Sequence, residues 1–417
     1  MTEILIVSVA IFGFALVSQR LAASPITGPM VYTTVGIVVG GLGLGWFDLS
    51  IEGEALTVLI EATLVLVLFT DAIRIRVRSL RKDAAITARL LGVGLPLTLL
   101  AGTAVAALVF PTLGWAEALL LAAVLTPTDA ALGQAVVSNE RLPMRVRQSL
   151  NVESGLNDGL MVPVITVAIA LSAMESGEQS QNWSGFVAAQ IGFGLLCGAA
   201  AGYFGGRLLD VFASARKVEG VYRQLATLAI AASAYASASM IGGNGFVAAF
   251  TAGIVFGVVA VPHCHDVQDF TQDEGDLLTA ITFILFGAVL VPQAVHGLDG
   301  RVVIFAVLSL TVVRILPVMV AMLGSGTLLQ TRLFIGWFGP RGLASILFAL
   351  LVVEEIDGAG AELVFTVAIW TVLLSVFAHG ASASPWASAL GTRLSSTPRD
   401  APERARTVEY PTRRRLG

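Results

Sequence analysis

The chain of 417 residues is 56% hydrophobic and only 13% charged, with a formal net charge of −4 and a mean hydropathy of +0.83. That balance excludes an ordinary soluble domain. It reads as an all-α polytopic membrane protein, in which each span of about 20 apolar residues satisfies its own backbone hydrogen bonds.

In chain order the apolar runs are 3–18, 27–45, 54–73, 88–110, 115–137, 148–173, 185–206, 223–241, 244–261, 276–293, 302–322, 331–353 and 362–388, about thirteen expected spans. The first is kept as a span, because "MTE" is acidic where a cleavable signal peptide carries positive charge. Cys197 lies within a span and Cys264 in a loop, so no disulfide framework is expected. Arg74, Arg76, Arg78, Arg81, Lys82 and Arg89 follow the third run. Arg141, Arg145 and Arg147 follow the fifth, and Arg207, Arg216, Lys217 and Arg223 the seventh. Basic loops stay cytoplasmic. The loops "FDLSIEGE", "MESGEQSQ" and "EEIDGAGAE" are acidic, as exterior loops are, which sets the N-terminus outside and the C-terminus inside. The acidic loop "HCHDVQDFTQDEGD" dissents weakly. Its histidines, His263 and His265, are candidates for metal or pH sensing, but beside Asp266 and Asp269 they read as a solvated loop. The membrane domain is taken as residues 1–392, and 393–417, polar and without apolar period, as a disordered cytoplasmic tail whose arginines are candidates for anionic lipid.

Ionisable residues inside spans are costly and mark function by default, which singles out Asp71, Asp129, Glu153, Asp158, Arg314 and Arg341, with Glu61 unassigned. At about 1.5 Å per residue, Asp158 lies roughly 16 Å beyond Arg147 and Arg341 roughly 14 Å beyond Arg332, both near the middle of a core about 30 Å thick. Asp129 reaches the same level from either end of its run. A lone buried charge can be a structural pair; three at one depth make a shared polar site. In "QSLNVESGLNDGLMVPVITVAIAL", Ser154 and Asp158 share one helix face and Glu153 and Asn157 the neighbouring one. Asn151, Gly155 and Gly159 extend this arc, the glycines reading as helix packing.

The fifth and twelfth runs carry helix breakers, Pro127 in "TPTDAA" and Gly339-Pro340-Arg341-Gly342 in "WFGPRGLAS". Irregular backbone survives at membrane depth only where it lines protein or a polar cavity, so two interrupted helices are expected. Each breaker is fifth in a set of six, within 3–173 and 223–388, joined by 185–206. An odd linking segment turns the second set over, as in inverted repeats whose broken helices meet at the midplane. No letter-by-letter repeat accompanies this.

Carboxylates, a hydroxyl and freed carbonyls are hard oxygen ligands for an alkali cation and lack the nitrogen and sulfur of a transition-metal site. A carboxylate removed from water favours its neutral form and a bound cation reverses that, so proton and cation compete for Asp129 and Asp158. Such competition suffices for exchange, because the empty charged form crosses poorly. Arg314 and Arg341 can neutralise Glu153 and Asp71.

"TPTDAA", "ESGLNDG" and "GPRGLAS", with a looser match in "LFTDAIRI", resemble the monovalent cation/proton antiporters of the NhaP and mammalian sodium/proton exchanger branch, over the whole membrane region. The resemblance implies a homodimer with a scaffold and a mobile core that moves like an elevator. It implies Asp158 as the ion- and proton-binding acid, with Asp129, Ser154 and the Thr128 backbone as further ligands for Na+. Asn157 stands where electrogenic relatives carry a second aspartate, which implies electroneutral exchange. Glu153 with Arg314, and Asp71 with Arg341, match stabilising pairs, although both arginines are within reach of Glu153. The expected function is exchange of Na+, or Li+ or K+, for H+ across the cell (inner) membrane in pH homeostasis, without a cofactor. A potassium-selective antiporter of the same fold and a cation channel are the alternatives. An intramembrane enzyme is disfavoured, since no catalytic constellation falls on facing segments and the histidines are placed outside the spans.

Overall fold

A computed structural model of the chain describes residues 2–21, 24–46, 54–73, 85–175, 183–215, 217–260, 264–398 and 401–404. Every regular element among them is helical. The helices follow the apolar runs with one correction: the helix of the tenth run begins already at Cys264, so the chain expected to form the loop "HCHDVQDFTQDEGD" is helical from Cys264 on. Among the described residues, eight helical stretches are long and apolar enough to cross a membrane. The protein is therefore a multi-pass, all-helical membrane protein. Residues 74–82 and Arg216, which carry much of the expected inside charge, lie outside the described residues, as do the "FDLSIEGE" loop up to Gly53, most of "MESGEQSQ" and His263. The side chains of Cys264 and His265 also lie outside them.

In chain order the helices are α1 (Thr2–Leu21), α2 (Gly28–Val39), α3 (Glu54–Ile73), α4 (Ala85–Val109), α5 (Trp115–Leu125), α6 (Ala130–Val137), α7 (Met144–Glu175) and α8 (Trp183–Ser214). There follow α9 (Gly220–Met240), α10 (Gly245–Val259), α11 (Cys264–Leu285, continuing to Ala294), α12 (Gly300–Leu310), α13 (Val312–Ala321), α14 (Leu329–Trp337), α15 (Leu343–Glu355) and α16 (Ala359–Ser395). The fifth run splits into α5 and α6 around Pro127, and the twelfth into α14 and α15 around Gly339 and Pro340, as their breakers require. Three irregularities were not expected. Wide π-turns at Leu90–Gly94 and Phe286–Leu290 precede Pro96 and Pro292, whose rings crowd the carbonyl four residues earlier. The eleventh run is interrupted at Thr311 (φ −112, ψ −87), which puts Arg314 in the first turn of α13.

The helices form two compact units. The first comprises residues 1–53, 83–157 and 279–417. In it α4 packs on α5, and α16 packs on α6, α12 and α15. α2 approaches α11 so closely at Gly36, Gly40 and Gly287 that a Cβ at any of them would run into the partner backbone.

The second unit comprises residues 54–82 and 158–278. There α10 lies between α3 and α8. Gly194, Gly198 and Gly202, on one face of α8, meet Asn244, which caps α10, and Ala248 and Ala252 within it. Gly253 and Gly257 of α10 meet the carbonyls of Phe69 and Ile73. Small residues supply this contact because lipid offers no hydrophobic drive for helix association.

The expected disordered tail begins with ordered chain. α16 runs to Ser395, and Pro402–Arg404 forms a turn whose Glu403 is 1% exposed. Glu403 Oε1 accepts from Leu328 N (2.6 Å) and Thr331 Oγ1 (3.2 Å) at the start of α14, while Arg145 Nη1 donates to the Pro402 carbonyl (2.6 Å). A carboxylate over the first turn of a helix meets amide donors without helical partners, and that attraction orders the turn. Residues 405–417 lie outside the described residues.

Candidate functional site

The site in the first unit is built from the two helix breaks. Where α5 ends at Leu125 its last carbonyls lose their helical partners, and where α6 begins its first amides have none. The same holds for α14 and α15. Asp129 resolves the amide side of both breaks at once. Its Oδ1 accepts from Ala131 N (2.6 Å) and Leu132 N (3.0 Å), capping α6. Its Oδ2 accepts from Leu343 N (2.5 Å), the first residue of α15. The Asp129 amide in turn donates to the Pro340 carbonyl (2.8 Å). One anion thus sits on two positive helix ends. Gly342 makes room for it, since a Cβ there would collide with the carboxylate.

Arg341 resolves the carbonyl side. Its Nη1 donates to the carbonyls of Thr126 (2.6 Å) and Pro127 (3.0 Å), and Ser345 Oγ donates to the Val124 carbonyl (2.8 Å). Asp71 was expected opposite Arg341. Nη1 of the guanidinium serves carbonyls that the interrupted helix leaves open, and Asp71 is buried in α3 of the second unit.

α7 holds the first break from the side. Ser154 Oγ donates to the Thr128 carbonyl (2.5 Å). Asn157 accepts from Thr128 N (3.2 Å) and donates to Thr128 Oγ1 (2.7 Å). Asn157 therefore has a definite task, keeping the backbone and hydroxyl of Thr128 in place. Glu153, on the adjacent face, lies 2.6 Å from Arg314 Nη2, both side chains 1% exposed. Gly339 leaves space for that guanidinium, which a Cβ would strike. Thr128, Asp129, Asn151, Ser154, Phe338 and Pro340 help to line a cavity of about 10 Å³, room for one water-sized group.

The structure thus brings together Thr128, Asp129, Glu153, Ser154, Asn157, Arg314 and Arg341 within one unit. Asp158 is buried and begins the second unit's share of α7, an unbroken helix that places it one turn beyond Ser154. The histidines were expected outside the spans; His379 is inside α16 and buried, bonded to Ser375 and to the Trp337 carbonyl. The signal available was a polar pair four residues apart in the otherwise apolar "TVLLSVFAHGAS".

Known proteins resemble this chain in sequence and in fold. The chain is 29% identical over 375 residues to a K(+)/H(+) antiporter, NhaP, of Alkalimonas amylolytica, covering 89% of this chain and 63% of that protein. It is 27% identical over 308 residues to a Na(+)/H(+) antiporter of Schizosaccharomyces pombe, covering 66% and 64%. The chain spans about three fifths of the length of the curated relatives it matches. The fold is similar to that of the sodium proton antiporter MjNhaP1 from Methanocaldococcus jannaschii, with a TM-score of 0.75 and 18% identity over 91% of this chain and 99% of that one. The profile of the sodium/hydrogen exchanger transmembrane family matches residues 4–389, and the chain belongs to that family.

Proposed function

We propose that the protein is an electroneutral secondary antiporter that exchanges Na+ for H+ by alternating access. The observation that carries this reading is a buried carboxylate, Asp158, one turn beyond Ser154 on the helix that clasps the first break. Glu153 on the same helix is paired with Arg314, which supports reading it as a stabilising acid beside the exchanging Asp158. Loaded with either a cation or a proton, Asp158 crosses without net charge; empty, it does not. Ser154, the Thr128 carbonyl and Asp129 supply the remaining oxygens, with Asp129 acting first as the cap of two helices.

The names of the relatives support exchange of a monovalent cation for a proton. They also favour a second reading, K+ in place of Na+, because NhaP of A. amylolytica and NhaP2 of Shewanella oneidensis are both named K(+)/H(+) antiporters. On this reading the protein has thirteen spans in two inverted repeats, N-terminus outside and C-terminus inside, and assembles as a homodimer in the inner membrane; the two broken helices support the repeat arrangement alone.

Proteoliposomes with an acidic interior provide the test. External Na+ or K+ should collapse the gradient without net current, and Asp158→Asn should abolish the response to whichever cation works. Cation current without proton movement would establish a channel instead, and exchange retained in Asp158→Asn would remove Asp158 from the mechanism.

A further inference from the structure

Two polar side chains of α16, Ser375 and His379, lie one turn apart, buried at 0% and 1% exposure. For a neutral imidazole the contacts at Ser375 Oγ and at Trp337 have one consistent direction, while Nδ1 also lies 3.2 Å from the Ser375 carbonyl, which has no proton to give it. The Arg341 amide can only donate, so Ser375 Oγ accepts from it (2.7 Å), and the serine proton is free for His379 Nδ1 (3.0 Å). The Trp337 carbonyl can only accept, so His379 Nε2, 2.9 Å away, carries the ring proton. The chain therefore runs from Arg341 N–H to the Ser375 hydroxyl to Nδ1, and from Nε2–H to the Trp337 carbonyl.

The ends of this chain give it meaning. Trp337 is the last residue of α14, and Arg341 lies in the break just before α15. One face of α16 thus grips both sides of the interruption, and Trp337 Nε1 adds a third tie to Ser382 Oγ (3.0 Å). Trp337 packs on the imidazole with ring centroids 4.8 Å apart, and Phe338 and Trp386 pack on each other beside it, which keeps competing water away.

We propose that His379, as the Nε2–H tautomer, is a positioning residue of the cation site: with Ser375 it sets the register of the Phe338–Gly342 break at which Arg341 reaches the Thr126 and Pro127 carbonyls and Leu343 reaches Asp129. It touches no cation. It acts through Arg341 and Asp129, which fix the backbone of Thr128 and its neighbours. The inference rests on the antiport reading above.

The test is cation-for-proton exchange by the full chain in proteoliposomes, with Na+ and K+ each varied, for His379→Ala, Ser375→Ala and His379→Gln. Loss of either link should raise the half-saturating cation concentration about tenfold while the maximal rate stays within about twofold. His379→Gln, whose amide offers one donor and one acceptor, should recover to within about threefold of the parent. A purely structural role would lower the yield, the melting temperature and the maximal rate together, leaving half-saturation in place and overturning the proposal. It is equally overturned if the glutamine variant is as impaired as the alanine variant. Should His379→Ala fail to fold, Ser375→Ala decides, and an unchanged half-saturation there refutes the chain. Cation current without coupled proton movement in the parent protein would show that the antiport reading, rather than the role of His379, is at fault.

Discussion

Asp129→Asn asks whether the aspartate of the first break is chiefly a cap or chiefly a ligand. In the parent, Oδ1 receives two amide protons from α6 and Oδ2 receives one from α15. Asparagine has a single oxygen. Turned toward α6, it sets its NH2 against the Leu343 amide; turned the other way, it sets it against Ala131 and Leu132. Either choice leaves at least one buried N–H facing a donor, at a cost of about 1–3 kcal/mol. Removing the negative charge from two helix N-termini adds about 0.3–1 kcal/mol at each. The sum is roughly 2–5 kcal/mol, enough to lower the thermal unfolding midpoint of the purified protein measurably. Asp158→Asn, which keeps the shape of the protonated acid, should melt close to the parent. If Asp129→Asn melts with the parent while its half-saturating cation concentration rises, the double-capping account is wrong and the aspartate is a ligand without a structural task.

Three further expectations follow from the same geometry. Glu153→Gln should destabilise by about 3–5 kcal/mol, because it strands the buried Arg314 cation, and adding Arg314→Met should restore part of that in the same melting assay. Gly342→Ala should cost about 1–3 kcal/mol and sharply reduce exchange, since the new methyl displaces the Asp129 carboxylate; Gly133→Ala, whose Cβ meets nothing within 4 Å, is the matched control. Glu403→Ala should cost about 1 kcal/mol through loss of the contact with α14 and should raise proteolytic cleavage within residues 401–404, detectable by mass spectrometry.

Much of the site is legible in the order of residues alone. Pro127 and Pro340 lack amide donors wherever the chain places them, so two breaks at membrane depth can be read directly from "TPTDAA" and "GPRGLAS". So can the facing of Ser154 and Asp158 on α7, because helical periodicity needs no tertiary information. The pairings are less accessible. Two arginines and several acids at one depth permit several neutral arrangements. The one adopted joins Arg314 to Glu153 and sends Arg341 to carbonyls 214 and 215 residues earlier.

By itself the sequence determined that this is a helical membrane protein, where two of its helices break at proline, and that Asp129, Glu153, Asp158, Arg314 and Arg341 lie deep enough to matter. Those properties follow from transfer energetics and the covalent chemistry of proline, which act within a few residues. Tertiary structure decided that Asp129 caps two helices, that Arg341 serves the open carbonyls, that Ser375 and His379 grip the second break, and that Glu403 folds onto α14. Each depends on a donor meeting an acceptor from a distant part of the chain. Only packing in three dimensions selects that partner from the chemically equivalent ones available.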